Sequence, residues 1–142
     1  MAAFTFHDYE GFGQYAKEHY NFSQAVRVGD RIECSGQGGW KGGSASTLPD
    51  LAESLEEQID LAFSNIDMAM KTAGGKGISQ VYRITSYHVR MQTTPETMEY
   101  MAKSLAKWFP DFSPVWTAVG VEALGLPTML VEIEAVAHDP KH

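Results

Sequence analysis

Residues 129–137 alternate between two kinds of side chain with a period of two, which is typical of a β-strand. One set of alternate residues is entirely apolar, so that face of the strand is expected to pack on a hydrophobic core. The opposite face carries two carboxylates, Glu132 and Glu134, one strand step apart. These acids lie either in water or in a shared polar cleft, and this alternative decides whether the sheet carries a functional site.

Composition limits the class of protein. The chain has 142 residues, the size of a single domain with its own core, and its 44% hydrophobic content excludes a disordered chain. A net charge of −7 argues against nucleic acid as the main ligand, since phosphate binding needs a basic surface. The single cysteine, Cys34, excludes an internal disulfide. We expect it to be a buried, inert thiol, with a reactive thiol as the alternative.

No pattern indicates a membrane, a metal or a cofactor. The sequence has no run of about 20 apolar residues and no secretory or transit pattern, so we expect a cytoplasmic protein without a membrane partner. The five histidines show no metal-binding spacing, and the glycine-containing segments lack the context of nucleotide-binding loops. We therefore expect no metal and no cofactor. His88 is expected to be a core residue more than a ligand contact.

The hydrophobic pattern predicts an α+β fold with core elements in the order β-β-α-β-α-β-β. The predicted elements are a hairpin turning at Gly29 and Asp30, a helix over 49–73, a strand over 80–91, a helix from Thr94, and strands over 117–121 and 128–137. Met98 belongs to the apolar stripe of the second helix. Residues 36–46 are expected to form a loop.

Two helices, each with one apolar stripe, can cover only one face of such a sheet. The uncovered face includes Glu132 and enough apolar side chains to favour self-association. Residues 4–21 are aromatic and polar without a clear period and are expected to form an N-terminal arm that packs its rings on the body.

Two features of the predicted sheet could carry chemistry. Ser35-Gly36-Gln37-Gly38 follows a strand directly, and its glycines would leave backbone N–H groups open to an anion or a carbonyl oxygen. The alternative is a flexible strand-end loop. Glu132, if desolvated, would have a raised pKa suited to proton transfer. The alternative is an ion pair with Arg27, Arg31, Arg83 or Arg90.

Several short motifs occur in a fixed order along the chain. They are Ser23-Gln24-Ala25-Val26-Arg27-Val28-Gly29-Asp30, Ser35-Gly36-Gln37, Gln58 followed by Ala62-Phe63-Ser64-Asn65-Ile66, Ala73-Gly74, Leu126-Pro127 and Val131-Glu132-Ile133-Glu134-Ala135-Val136-Ala137. Across residues 21–138 the chain therefore resembles the Rid family (RidA/YjgF, reactive intermediate deaminases, formerly labelled L-PSP endoribonucleases).

This resemblance implies one domain over 1–142, with an N-terminal arm (1–21) and a core (22–138). It also implies a chorismate-mutase-like fold, with two helices on one face of a mixed sheet, and a homotrimer whose sheets form an inner barrel. Ligand clefts would lie between subunits. The activity it implies is hydrolysis of reactive enamines and imines, such as 2-aminoacrylate, to a keto acid and ammonia.

The resemblance also assigns residues, with departures. Ser35 and Glu132 match the family's serine and the acid that handles the attacking water, while Gly36 and Gly38 would help to hold an oxygen. Trp116 stands where the family has an arginine that grips the substrate carboxylate. Phe22 replaces a tyrosine and Ala118 replaces a cysteine, and all three would line the cleft.

The departures make the cleft less cationic and more aromatic, with Trp40 as a possible further ring. Trp116 either lines the cleft or plugs it, and the sequence leaves open whether Arg83 or Arg90 replaces the lost charge. The leading hypothesis is a divergent Rid-type hydrolase or deaminase acting on an apolar or aromatic imine or enamine. The alternative is a non-catalytic, small-molecule-binding or chaperone-like trimer. Ribonuclease activity is disfavoured by the net charge of −7.

Overall fold

A computed structural model describes residues 4–141 and arranges them around one six-stranded mixed sheet. The strands are β1 (Thr5–His7), β2 (Ala25–Val28), β3 (Arg31–Gly38), β4 (Trp40–Lys41), β5 (Asp50–Leu51), β6 (Val81–Val89), β7 (Val115–Val121) and β8 (Val131–His138). The helices are α1 (Phe12–Tyr20), α2 (Leu55–Thr72) and α3 (Glu96–Trp108). The predicted α+β class is confirmed, and the seven core elements occur in the predicted order.

The sheet has the strand order β1-β2-β3-β8-β6-β7, and β4 pairs separately with β5. The β6–β7 pair is parallel and the other pairs of the large sheet are antiparallel. Strand β8 lies between β3 and β6, whereas β1 and β7 form the two edges. Glu132 is therefore in the middle of the sheet and the segment around Trp116 is at its edge.

The core lies between the sheet and the helices. Alternate residues of β8 (Val131, Ile133, Ala135 and Ala137) are buried, as the period of two predicts. Helix α2 packs against β3 and β8 with α3 beside it, and its stripe of Ile59, Phe63, Ile66 and Met70 is fully buried. Burial of such apolar side chains is the main stabilising contribution to a fold of this size.

Helix α2 begins later than predicted. Ser54 caps it by accepting a hydrogen bond from the backbone N–H of Glu57 (3.2 Å), so the first helical residue is Leu55. The preceding residues Asp50 and Leu51 pair with Trp40 and Lys41 as a short ladder, which takes them out of the helix.

The N-terminal arm is more regular than predicted. Its described part contains β1 and the nine-residue helix α1, and residues 1–3 lie outside the described range. Tyr9 and Phe12 pack into the core, whereas Phe4 and Phe6 are exposed. A helix of nine residues that follows Gly11 is too short to give a clear hydrophobic period.

Two further predictions need correction. Residues 36–46 are not all loop, because β3 continues to Gly38 and Trp40–Lys41 is a strand. Met98 does not pack on the core, since 48% of it is exposed, and the buried side of α3 is formed by Thr97, Met101 and Ser104. The predicted hairpin turn at Gly29 is confirmed, with Gly29 at a φ of 60°.

We call the sheet face opposite α2 the open face. It carries Glu33, Ser35, Arg83, Thr85, Tyr87, Val115, Thr117, Val119, Glu132, Glu134 and Val136. The centre of this face is polar, whereas Val115 and Val119 on the edge strand are 61% and 37% exposed. No helix among residues 4–141 is long and apolar enough to cross a membrane.

Candidate functional site

The centre of the open face brings Glu132 against Gly36. Strand β3 has a register shift between Cys34 and Gln37, which places Gly36 beside the Glu132 side chain. A Cβ atom built on Gly36 would lie 2.5 Å from the Cδ atom of Glu132, closer than real Cβ contacts allow. The glycine therefore makes the room that the carboxyl group occupies.

Glu132 is half-buried. It forms no ion pair with any residue in the described range. Two of the arginines proposed as partners are used elsewhere, Arg27 by Asp139 and Arg31 by Glu33. Burial, and secondly the negative charge of Glu134, raise the pKa of Glu132 above its ordinary value. A carboxyl in this state can hold and release a proton nearer to neutral pH.

Tyr87 belongs to this site but was not among the predicted residues. It lies opposite Glu132 in the β6–β8 ladder, and its hydroxyl donates a hydrogen bond to Oε1 of Glu134 (2.8 Å). That hydrogen bond raises the pKa of Tyr87. The sequence places Tyr87 in a predicted strand, but only the strand register shows which acids it faces.

Ser35 is next to the site, and its donors are already used. Its hydroxyl donates to the carbonyl oxygen of Ser23 (2.7 Å), and its backbone N–H donates to the carbonyl oxygen of Gln24 (2.8 Å). Phe22 precedes Ser23 and is 39% exposed. Asn21, in the left-handed conformation at a φ of 60°, ends α1 and turns the chain toward Phe22.

Gly38 and Trp40 are both buried next to the site. Gly38 is buried, it pairs with Glu132 in the sheet, and its carbonyl oxygen accepts a hydrogen bond from Asn65 (2.9 Å). Trp40 is 2% exposed, and its indole N–H donates to the hydroxyl of Tyr9 (3.1 Å). The expectation that Trp40 lines the cleft is therefore wrong, because its ring is part of the core.

Trp116 and Ala118 lie on the other face of the sheet from Glu132. They pair with Ile84 and Ser86, whose side chains point toward the helices. The indole N–H of Trp116 donates to the hydroxyl of Ser86 (2.8 Å), and its half-buried ring packs against the core. A single chain therefore does not bring Trp116 and Glu132 together.

His88 continues into the interior the series of hydrogen-bonded side chains that begins with Trp116 and Ser86. Its Nε2 atom lies 2.7 Å from the Ser86 hydroxyl, and its buried Nδ1 atom has no hydrogen-bond partner within residues 4–141. Burial lowers the pKa of His88 to about 4. The ring is thus neutral at pH 7, in agreement with the expectation of a core residue.

Cys34 agrees with the prediction of an inert thiol. It is buried in β3, and burial raises its pKa to about 12. Residues 4–141 contain no cluster of histidine, cysteine and carboxylate side chains that could hold a metal ion.

Comparison with protein families identifies the family to which this chain belongs. The model described as "Endoribonuclease L-PSP" matches residues 14–139, which is most of the chain. The chain belongs to the Rid/YjgF family. No curated protein has a significant sequence match to it.

Solved structures of this family share the fold over nearly the whole chain. The Rv2704 protein of Mycobacterium tuberculosis, described as a member of the YjgF/YER057c/UK114 family, has a TM-score of 0.74 and 24% identity, covering 95% of this chain and 98% of its own. The protein YJGH has a TM-score of 0.76 and 25% identity, covering 99% and 100%. RidA from the Antarctic bacterium Psychrobacter sp. PAMC 21119 has a TM-score of 0.69 and 26% identity, covering 82% and 87%.

Because the chain belongs to the Rid/YjgF family, its site can be compared with the residues that the resemblance implies. The site contains Glu132, the acid that the resemblance implies, and Gly36 leaves room for its carboxyl group. The edge strand has an indole, and no guanidinium, at position 116. Family membership agrees with a deaminase or a small-molecule-binding role, and the residues must decide between them.

Proposed function

We propose that this protein is a divergent Rid-type hydrolase that converts a reactive imine or enamine to a carbonyl compound and ammonia. The observation that carries the proposal is Glu132: a half-buried carboxyl with a raised pKa and no ion-pair partner among the described residues. A buried acid that serves only structure is normally paired. An acid kept unpaired and hard to ionise is suited to proton transfer.

The proposed reaction consumes one water and no cofactor. Glu132 accepts a proton from a water molecule, whose oxygen adds to the imine carbon and gives a carbinolamine. Glu132 gives that proton to the nitrogen and then carries the proton of the carbinolamine hydroxyl to the same nitrogen, so that the C–N bond breaks and ammonia leaves as the C=O bond forms. An enamine first takes a proton on carbon to become the imine. No redox step is needed, since the carbon is at the same oxidation level in the imine and the carbonyl product.

The neighbours of Glu132 have different roles in this proposal. Both Ser35 donors are used inside the chain, so we assign Ser35 the role of holding β3 against the segment that precedes β2. Gly36 admits the carboxyl group, and its backbone N–H is the candidate for holding the substrate oxygen. Gly38 is buried and supports the strand.

We place the cleft between the subunits of a homotrimer. One chain leaves Trp116 and Glu132 on opposite faces, and among the described residues the outer edge of strand β7 pairs with no other strand. The exposed Val115 and Val119 on that strand favour burial by another copy. Trp116, Ala118 and the exposed Phe22 would then give the cleft an apolar and aromatic lining, suited to an apolar substrate.

The second candidate function is a non-catalytic trimer that binds a small molecule or acts as a chaperone. One observation favours it: Trp116 packs on its own core and gives its N–H to Ser86, as a side chain that plugs a cleft would do. An assay of imine hydrolysis separates the candidates. An amino-acid oxidase generates imines from a panel of amino acids, and semicarbazide traps the imine that survives. The hydrolase reduces trapping, and Glu132→Gln abolishes the effect.

A further inference from the structure

Buried polar side chains form a hydrogen-bond network around strand β3, next to the Glu132 site. Its members come from the N-terminal arm, from the segment before β2, from β3 and from β4. They are Tyr9, Gln24, Gln37 and Trp40, and all four are buried. We call this set of side chains the Gln37 network. None of its members takes part in the proton transfer proposed above.

Strand β3 contains a bulge at Ser35 and Gly36. Two residues of β3 lie here opposite one residue of β8, because the register shifts between Cys34 and Gln37. The bulge places Gly36 against the carboxyl group of Glu132. A bulge also interrupts the regular ladder between two strands, so its backbone groups need partners from elsewhere.

Gln37 supplies such a partner from within the core. Its Nε2 atom donates to the carbonyl oxygen of Ser35 (3.0 Å) and to Oε1 of Gln24 (2.9 Å). Its Oε1 atom accepts a hydrogen bond from the hydroxyl of Tyr9 (2.5 Å). Both N–H groups and the carbonyl oxygen of this fully buried amide are therefore used. Three partners from three segments fix the amide in one orientation.

Gln24 ties the bulge to the N-terminal arm. Its carbonyl oxygen accepts a hydrogen bond from the backbone N–H of Ser35 (2.8 Å), and its own backbone N–H donates to Oδ1 of Asp8 (3.0 Å). Asp8 immediately precedes Tyr9 in the chain. The arm is therefore attached to the bulge at two adjacent residues, through the carboxyl of Asp8 and the hydroxyl of Tyr9.

Tyr9 is the member of the network that the arm contributes. Its hydroxyl also accepts the indole N–H of Trp40 (3.1 Å), and the Trp40 ring packs on Phe12 of α1 (4.3 Å between centroids). Burial raises the pKa of Tyr9, so the hydroxyl stays protonated and remains a donor at neutral pH. Tyr9 precedes residues 14–139, which the family model matches. The arm thus adds a contact from outside the matched part of the chain.

We propose that Tyr9 and Gln37 are positioning residues for Glu132. Their hydrogen bonds hold the bulge of β3 in the shape that keeps Gly36 against the carboxyl group, and the N-terminal arm thereby supports the site. Neither residue touches the substrate or the reacting atoms. The effect on turnover rests on the proposed function, whereas the positioning of the Glu132 carboxyl does not.

A network that served stability alone would leave Glu132 unaffected by a change at Tyr9. A network that holds the bulge would not. Without the Tyr9 hydroxyl the amide of Gln37 loses a buried partner, the backbone at Gly36 relaxes, and water reaches the carboxyl of Glu132. Solvation lowers the pKa of a carboxyl group that burial has raised.

The test is a carbon NMR titration of the Glu132 carboxyl in protein labelled at glutamate, with Glu132→Gln used to assign the signal. The wild type should titrate above the ordinary value of 4.5. Tyr9→Phe keeps the ring and removes only the hydroxyl, and it should move the pKa of Glu132 toward 4.5. Tyr15→Phe is the matched control from α1, where the ring stacks on His19 (4.0 Å), and it should keep the wild-type pKa.

Gln37→Met removes the same hydrogen bond from the other side at similar volume. If both changes act through the bulge, the double variant should have the Glu132 pKa of Gln37→Met alone. Asp139→Asn loses hydrogen bonds beyond the far end of β8 and controls for a general loss of stability. It should keep the wild-type pKa of Glu132.

In the imine assay, Tyr9→Phe should lower kcat about tenfold and leave KM nearly unchanged, because the substrate contacts are intact. An unchanged Glu132 pKa in Tyr9→Phe, additive shifts in the double variant, or an equal shift in Asp139→Asn would overturn the inference. The titration needs no turnover. A wild type that hydrolyses no imine, with a Glu132 pKa that moves in Tyr9→Phe, would therefore refute the proposed function alone.

Discussion

Gly36 and Glu132 are fitted to one another across the β3–β8 pair: a Cβ atom on Gly36 would lie 2.5 Å from the Cδ atom of Glu132. The φ of Gly36 is not in the left-handed region, so the glycine leaves space for the present position of the carboxyl group and is not needed for backbone conformation. This relationship places the carboxyl where it is half-buried and unpaired.

Gly36→Ala should therefore displace the Glu132 side chain and lower turnover, by about tenfold or more if the acid transfers protons. Imine hydrolysis by the purified variant is the measurement. Gly125→Ala is the matched control, since nothing lies within 4 Å of a Cβ at that position. Equal activity of the two variants would show that the position of Glu132 is not set by Gly36.

The raised pKa of Glu132 predicts a pH-dependent cost to stability. Folding disfavours its charged form, so the folded state is relatively more stable below the ordinary pKa of 4.5 and loses stability as pH rises through the higher folded-state value. Glu132→Gln removes this loss. The variant should have a higher Tm than the wild type at pH 7, with the difference shrinking below about pH 4. A Tm difference that does not change with pH would contradict the raised pKa.

The carboxyl group of Asp139 predicts the opposite dependence of stability on pH. Hydrogen bonds from Arg27 and then from Gln80 lower the pKa of Asp139 to about 2. Its contribution to stability is present above the ordinary pKa of 3.8 and is lost as pH falls toward 2. Asp139→Asn should be less stable than the wild type at pH 7 and should lose less further stability on acidification. Acid unfolding followed by circular dichroism tests this, with the exposed Asp111→Asn as the control.

The hydroxyl of Ser86 accepts a hydrogen bond from the indole N–H of Trp116, and Ser86 is fully buried. Ser86→Ala would leave that N–H without an acceptor, at a cost of about 1 kcal/mol. The ring should loosen, and tryptophan emission should move to longer wavelength. Trp40 and Trp108 also emit, so the same shift must be absent when Trp116→Phe is added to Ser86→Ala. A shift that persists in the double variant would assign it to another tryptophan.

The parts of this fold that follow from local pattern could be predicted. The alternation in β8 and the apolar stripe of α2 both reflect a single buried face, and both elements were found from the sequence. Helix α1 could not be found in the same way, since nine residues give too few repeats. Met98 was misplaced because a stripe shows which residues are apolar but not which of them another element covers.

The geometry of the site depends on how the strands pair, which the sequence of a single segment does not show. Glu132 could be singled out because an acid lies on a strand with one apolar face. Its contact with Gly36 depends on a register shift in β3, and its pairing with Tyr87 depends on β6 lying next to β8. The face on which Trp116 lies is likewise set by its parallel partner, Ile84.

The central claim is that Glu132 transfers a proton during imine hydrolysis. The most direct measurement is the rate at which the purified protein removes oxidase-generated imines in the presence of semicarbazide, compared between wild type and Glu132→Gln. Glu122→Gln, a change of an exposed glutamate, serves as the matched control. We predict acceleration by the wild type and the control, and a loss of about a hundredfold or more in Glu132→Gln with unchanged oligomeric state. Equal acceleration by Glu132→Gln, or none by the wild type across the panel, would contradict it.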